Sequence, residues 1–170
     1  CACLVGSEMC IRDRVFNDPF ALPSAPWQWI VPWWMQSDAS AGSTGTVQAA
    51  AGVDIGAEDA WALYDGGSRD VVVALVDTGI DYTHADLEGR IWVNEDEIPG
   101  NGVDDDGNGY IDDVYGWNFY SGSNQVYTGS EDSHGTHGAG TIAAHADNDI
   151  GIAGIVRSDH VKVMAVKALG

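Results

Sequence analysis

Two residues of this chain combine a suitable type with a suitable setting for acid–base chemistry. Asp77 directly follows the apolar, β-branched run at 71–76, which predicts a buried strand of a parallel sheet, and such sheets bind ligands at the carboxyl ends of their strands. His134 begins a predicted helix, where the helix dipole disfavours a protonated imidazole and favours a neutral general base. An Asp that orients a His, which in turn takes the proton of a nucleophile, is the arrangement used in acyl transfer.

Each of these residues also has a structural explanation when it is taken alone. An Asp after a strand is often a cap, and a single His in a helix usually packs. Taken together, the two predict chemistry much more strongly, because they are two of the three members of a catalytic triad.

The elements that must position these residues follow from the apolar pattern. Residues 71–76 and 161–167 predict two buried strands, and residues 135–146 between them carry small residues at helical spacing. Strand, crossover helix and strand predict an α/β domain. Each glycine in the helix interior destabilises it by about 1 kcal/mol relative to Ala, so close approach to the sheet or to a substrate must offset them. These glycines are Gly135, Gly138 and Gly140.

The charge of the chain is strongly negative and unevenly distributed. The chain holds 26 acidic and 7 basic residues, a formal net charge of −19, and no Lys or Arg lies between Arg90 and Arg157, where twelve carboxylates do. Such a negative field repels nucleic acid and anionic membranes, so we expect neither as a partner. Cations are the expected partners instead. A solvated acidic surface is the alternative explanation.

The acidic loop at 104–112 has the donor spacing of a calcium site. Its oxygens fall at positions 1, 3, 5, 7 and 9 of an EF-hand-type loop, and Gly109 lies where a sharp turn is needed. Position 12 is Tyr115 rather than Glu, so Asp113 or a distant residue must complete the shell. A turn with solvated carboxylates is the alternative. The candidate ligands are Asp104, Asp106, Asn108, the carbonyl of Tyr110, Asp112 and Asp113.

Two stretches of the chain resemble a known family. VVVALVDTGIDYTHADLEGRI, at 71–91, resembles the aspartate motif of the subtilases, and HGTHGAGTIAA, at 134–144, resembles their histidine motif. The order of Asp before His also matches. Further resemblances, in VFNDPF, GAEDAWALYDGG and VKVMAVKALG, extend the similarity over about residues 15–170.

The resemblance implies a fold and an activity. The implied fold is α/β, the three-layer, parallel-sheet subtilisin-like fold, incomplete at the C-terminus. The implied protein is a secreted, monomeric, calcium-dependent serine endopeptidase acting on polypeptides, in which Asp77 orients His134 and His134 serves as general base and then general acid. The family's Gly-Thr-Ser-Met segment and oxyanion-hole Asn do not occur in these 170 residues. We therefore expect the Ser beyond the chain end and no activity from the chain as given.

The resemblance also implies a second calcium site. Residues 146–152 resemble the loop that interrupts the histidine helix of the family, and Asp86 lies within the aspartate motif. In the family such metals stabilise surface loops, as a ligand that binds only the folded state does. The implied ligands are the Asp86 carboxylate, the Asn148 side chain and the carbonyls of Ala146, Ile150 and Ile152.

Two other hypotheses remain open from the sequence. In one, the chain is a calcium-binding extracellular scaffold or adhesion module, and Asp77 and His134 merely pack. In the other, it is a truncated product without a stable fold, because a parallel sheet that lacks its later strands has an exposed edge.

The first part of the chain differs in composition from the rest. All three cysteines lie within the first ten residues, and residues 1–14 predict a non-native or disordered leader. Residues 15–170 are predicted to form the N-terminal part of a peptidase domain, with an irregular arm over 15–55 docked by its Trp residues; a carbohydrate-binding platform is the alternative for that Trp group. A short helix is predicted at 56–64, and no run is long enough to span a membrane.

Overall fold

A computed structural model describes residues 55–64 and 66–170 of the chain. The predicted leader over 1–14 and nearly all of the predicted arm over 15–55, with its Trp group, lie outside the described residues. In the part that is described, no helix has the length and apolar character needed to cross a membrane.

Three parallel strands form the sheet that carries the site. They are β1 (Val71–Asp77), β2 (Gly116–Asn118) and β3 (Val161–Lys167), in the order β1-β3-β2. Asp77 and Asn118 both pair with Lys167, so the carboxyl ends of all three strands meet at one edge. The predicted α/β fold with a parallel sheet is confirmed. β2 was not predicted, because three residues that include a Gly and an Asn carry no apolar period.

In the described ranges, two α-helices accompany the sheet, and each agrees with its prediction to within a few residues. They are α1 (Ala57–Leu63) and α2 (Ser133–Ala143). α2 starts at Ser133, one residue before the predicted start at His134, because a 3-10 turn at Ser130–Asp132 leads directly into it. It also ends earlier, because the backbone becomes extended at Ala144, whose N–H bonds the carbonyl of Gly140.

The core lies between α2 and the sheet. The buried face of α2 is made of small residues, which let the helix approach β1 and β3 closely. A methyl group at Gly135 would lie 2.2 Å from the carbonyl oxygen of Gly79, so this glycine is required by contact between the helix and the chain after β1. The apolar core comprises Ile80, Leu87, Ile91, Val126, Ala139, Ala143, Val163 and Ala165.

The first strand is less buried than its apolar sequence predicts. Val71, Val72 and Val76 are 42%, 47% and 63% exposed, whereas a continuous β-branched run predicts burial on both faces. Within the described sheet β1 is an edge strand, and α2 covers only one of its faces. The prediction of burial on both faces is therefore wrong for the described structure.

Candidate active site and acidic loops

Asp77 and His134 lie in direct contact at the carboxyl edge of the sheet. Asp77 ends β1 and His134 is the second residue of α2. The imidazole Nδ1 lies 2.8 Å from Oδ1 and 2.9 Å from Oδ2 of Asp77. The structure therefore brings together the two residues that the sequence singled out, although 57 positions separate them.

The two side chains differ sharply in their exposure to solvent. The side chain of Asp77 is 15% exposed, and that of His134 is 81% exposed. A carboxylate only accepts hydrogen bonds, so Nδ1 carries a hydrogen, and in the neutral form of the ring Nε2 has a lone pair. Among the described residues, no group hydrogen-bonds Nε2 of His134. The arrangement thus presents a basic nitrogen outward from an oriented ring, as a general base requires.

The ionised form of Asp77 is favoured by its surroundings. Burial acts to raise the pKa of Asp77, but the hydrogen bond from the Thr78 N–H, 2.6 Å from Oδ1, and the contact with His134 outweigh it. The net result is a pKa below the ordinary value of 3.8. Asp77 is therefore an anion at neutral pH, and an anion beside Nδ1 stabilises the imidazolium that forms when Nε2 takes a proton.

Threonine side chains join the end of β1 to the start of α2. The Oγ1 of Thr78 accepts the N–H of Gly135 at 3.1 Å. The Oγ1 of Thr136 accepts the N–H of Asp81 at 2.9 Å and donates to the carbonyl of Asp132 at 2.8 Å. These bonds fix one segment against the other at the position of the Asp–His contact.

A buried ion pair lies beneath the same contact. Lys167, the last residue of β3, donates from Nζ to the carboxylate of Asp132 and to the carbonyl of Thr78. Lys167 and Asp132 are 2% and 0% exposed. Sequence analysis missed this pair because an alternating Lys in a strand and an Asp before a helix both suggest solvated positions.

The acidic loop folds around a cluster of three carboxylates. One oxygen from each of Glu97, Asp106 and Asp113 lies within 4.8 Å of the others. The side-chain amide of Asn94 bridges two of them, donating to Asp106 at 2.9 Å and to Asp113 at 3.0 Å. Asn108 also donates to both, from Nδ2 at 2.9 and 3.1 Å. Asp106 and Asp113 are therefore brought together as candidate ligands, whereas Asn108 contacts them through Nδ2 and its Oδ1 accepts the N–H of Tyr110.

Other predicted ligands of this loop occupy different places. The carboxylate of Asp104 accepts the N–H groups of Asn108 and Gly109, at 3.1 and 2.8 Å, which closes the loop on itself. That of Asp112 accepts the N–H groups of Asn101 and Gly102. Neither belongs to the three-carboxylate cluster. The backbone N–H of Tyr110 donates to the side-chain oxygen of Asn108 at 2.8 Å. The role of the Tyr110 carbonyl as a calcium ligand stays a prediction.

Glu97 is the candidate ligand that sequence analysis missed. It precedes the 104–112 loop, so the internal spacing of the loop carries no signal for it. Its Oε1 accepts the N–H groups of Asp105 and Asp106, and its Oε2 accepts that of Asp112. Glu97 thus shapes the loop and also contributes an oxygen to the cluster.

The residues of the cluster fit a hard divalent cation. All three are carboxylates, Glu97 and Asp113 are buried, and among the described residues no Lys or Arg pairs with any of them. The hydrogen bond from Asn94 holds the pKa of Asp106 below its ordinary value, which keeps that carboxylate ionised. Several carboxylates held so close together repel one another, and calcium is bound by oxygen donors of this kind.

Two of the predicted ligands around Asp86, the carboxylate itself and the Asn148 side chain, lie in contact. Asp86 is fully buried; its Oδ1 accepts from the Asn148 side chain and its Oδ2 from the N–H of Ile152, both at 2.9 Å. The N–H of Ile150 bonds Oδ1 of Asn148 at 3.0 Å, and Ala146 packs against Ala153. The 146–152 loop therefore contacts the Asp86 carboxylate through N–H donors, and the ligand roles of the Ala146, Ile150 and Ile152 carbonyls stay a prediction.

Comparison with known proteins agrees with this geometry. Residues 68–170 match the subtilase family. The chain belongs to the subtilase family, which confirms the resemblance of its two motifs.

Individual relatives match the same part of the chain. The chain is similar to "Subtilisin-like protease 1" of Plasmodium vivax, with 46% identity over 57% of this chain and 15% of the relative. It is 42% identical to the protein of that name from Plasmodium berghei, over 57% of this chain and 16% of the relative. It is 38% identical to "Extracellular protease" of Xanthomonas campestris pv. campestris, over 58% and 17%. The chain thus spans about a sixth of the length of these relatives.

Proposed function

We propose that this chain forms part of the peptidase domain of a serine endopeptidase that hydrolyses polypeptides through an Asp-His-Ser triad. The observation that carries the proposal is the 2.8 Å contact between Nδ1 of His134 and Asp77, with the imidazole otherwise exposed. Membership of the subtilase family and similarity to proteases support it.

In the proposed mechanism, His134 moves one proton twice. Its Nε2 takes the hydroxyl proton as the Ser oxygen attacks the scissile carbonyl, and it then gives that proton to the departing amine, which leaves an acyl-enzyme. The same two transfers with a water molecule then hydrolyse the acyl-enzyme and free the Ser. Asp77 holds the ring in the tautomer with hydrogen on Nδ1 and stabilises the imidazolium between the two transfers. The Ser and the oxyanion donors come from the part of the protein outside these 170 residues.

We propose calcium as the cofactor of the acidic loop. Glu97, Asp106 and Asp113 would hold it, with Asn94 and Asn108 orienting two of the carboxylates. Bound calcium would neutralise the mutual repulsion of these groups and stabilise the loop. The Asp86 and Asn148 pair, with the 146–152 loop, is proposed as the second site.

We propose an extracellular location and a monomeric enzyme. One relative is named an extracellular protease, and calcium-stabilised loops suit a compartment rich in that ion. All cysteines lie at 1–10, so the rest of the chain does not rely on disulfides.

Casein hydrolysis by the full-length protein tests the catalytic assignment. His134→Ala should abolish hydrolysis. His160→Ala is a matched control, because His160 also has Nδ1 2.8 Å from a carboxylate, that of Asp70, but lies before β3 at the opposite edge of the sheet. We expect His160→Ala to cleave as wild type does. Activity in the His134→Ala protein, or inactivity of a folded, calcium-binding wild type, would overturn the peptidase assignment in favour of a scaffold.

A further inference from the structure

We propose that Lys167 and Asp132 form a positioning pair, which sets the distance and orientation of His134 relative to Asp77. The inference rests on the proposed function, because it assigns a role in the same site to two residues that touch neither substrate nor the reacting atoms. The pair is fully enclosed, with Lys167 2% and Asp132 0% exposed.

The ammonium group joins the two chain segments that bear the catalytic side chains. Lys167 lies in register with Asp77 on the neighbouring strand. Its Nζ donates to the carbonyl of Thr78, the residue after Asp77, and to Oδ1 of Asp132, two residues before His134. One side chain therefore links the end of β1 to the start of α2.

The carboxylate of Asp132 is held from its other side as well. Its Oδ2 accepts both the N–H and the hydroxyl of Thr128, the latter at 3.0 Å. The carbonyl of Asp132 accepts from Thr136 in the first turn of α2. The residue that precedes the helix is thus fixed by backbone and side chain, and it cannot shift without breaking a charged contact in a dry environment.

Close packing transmits this placement to the catalytic pair. A methyl group at Gly79 would lie 2.9 Å from the carboxylate of Asp132 and 2.4 Å from the carbonyl oxygen of Val126. A methyl group at Gly135 would lie 2.2 Å from the carbonyl oxygen of Gly79 and 3.2 Å from Cβ of Asp77. The start of α2 and the end of β1 are packed in direct contact. A displacement of Asp132 would therefore change the position of His134 relative to Asp77.

The chemistry of the ion pair indicates that it positions His134 rather than adding to the stability of the fold. A buried ion pair is a weak source of net stability, because desolvation of both charges offsets their attraction. It does define a geometry, since a lost or misplaced partner leaves a charge unpaired in the interior. A displacement of about 1 Å at a catalytic group can lower a rate about 100-fold.

The test compares Lys167→Met with Lys162→Met in the full-length protease. Lys162 lies on the same strand and donates to the carbonyl of Gly89, far from the site, so the same substitution there is the control. With concentrations corrected by active-site titration, we expect Lys167→Met to lower kcat about 10-fold or more while KM changes less than about twofold. The low-field proton resonance of the His134 Nδ1–H should weaken or shift, and Lys167→Arg should recover part of kcat.

A double variant keeps the test decisive where the single variant does not fold. Lys167→Met with Asp132→Asn removes both charges together, and it should fold yet retain the low kcat and the altered His134 resonance. Wild-type kcat and an unchanged resonance in this variant would overturn the proposal. So would failure of both variants to fold, because the pair would then act on the whole domain. Loss of activity in His134→Ala beside an unaffected Lys167→Met would reject the positioning role alone.

Discussion

At the scale of single residues, the contact between Asp77 and His134 defines the chemistry. The carboxylate is mostly enclosed while the imidazole is open, with Nδ1 turned inward and Nε2 turned outward. In the proposed mechanism, this asymmetry separates the orienting group from the group that moves the proton. Asp77 would then act on the reaction only through the His134 ring.

If the full-length protein is the proposed peptidase, Asp77→Asn should lower its kcat about 10⁴-fold, because the amide favours the wrong imidazole tautomer and removes the stabilising charge. Rates of peptide amide hydrolysis measure the loss. Asp81→Asn, four residues along, is the control: its Oδ1 accepts from Thr83 rather than from the site. A loss of similar size in both variants would show that folding, not tautomer control, was disturbed.

Asp77 should also stabilise the fold in a pH-dependent way. Its pKa is below the ordinary value of 3.8 in the folded state, so its stabilising contribution is present above that value and is lost as pH falls through the folded-state pKa. Below about pH 5, the difference in free energy of unfolding between wild type and Asp77→Asn should shrink as the pH falls. Urea denaturation of both proteins across this window measures it; a difference that grows on acidification would contradict the assigned sign.

Sequence patterns located the candidate catalytic residues, Asp77 and His134, better than the groups around them. Asp77 and His134 stand in recognisable local contexts, a strand end and a helix start. Glu97 and Lys167 do not, because their roles depend on contacts across the fold: Glu97 accepts three backbone N–H groups of the loop, and Lys167 meets Asp132 from another strand. Local spacing carries no information about such contacts.

At the scale of elements, the glycines of α2 have different reasons for being present. A methyl group at Gly135 would meet the backbone of Gly79 at 2.2 Å, whereas one at Gly138 would lie 3.4 Å from the Leu75 side chain, an ordinary contact. Gly135 therefore permits the close approach of helix and strand. Gly138 only weakens the helix.

Two substitutions on this helix should consequently change the free energy of unfolding in opposite directions. Gly138→Ala should raise the free energy of unfolding by about 1 kcal/mol, the difference in helix propensity. Gly135→Ala should lower it by roughly 1–3 kcal/mol, because the new methyl group overlaps backbone that cannot move aside. Chemical denaturation of the two variants beside wild type measures both changes. Stabilisation by Gly135→Ala would mean that the helix start is not in contact with the chain after β1.

Some of the helices and strands could be predicted from the sequence, and others could not. The apolar runs of β1 and β3 and the small-residue face of α2 predicted these three elements, because each has a clear period. Exposure of β1 was not predicted, since a β-branched run does not reveal whether both faces or one are covered. The position of β2 depends on its pairing with β3, which three residues cannot signal.

At the scale of the whole molecule, the negative charge is organised around the acidic loop. Twelve carboxylates lie between Arg90 and Arg157 without a Lys or Arg among them, and three of these meet within 4.8 Å. Repulsion in such a region opposes folding, and a bound divalent ion relieves it. The stability of the domain should therefore depend on calcium.

Calcium at about 100 times its Kd should add about 2.7 kcal/mol per site to the folded state, which corresponds to a Tm increase of roughly 5–10 °C for a domain of this size. Glu97→Gln should remove most of the increment that its own site contributes, because the cluster loses a charged oxygen ligand. Glu95→Gln is the control, since Glu95 is exposed and outside the cluster. Differential scanning calorimetry with calcium and with chelator gives the increment within each variant, independently of any change in the calcium-free Tm. An undiminished increment in Glu97→Gln would exclude the cluster as a binding site and leave the Asp86 loop to account for any stabilisation that calcium brings.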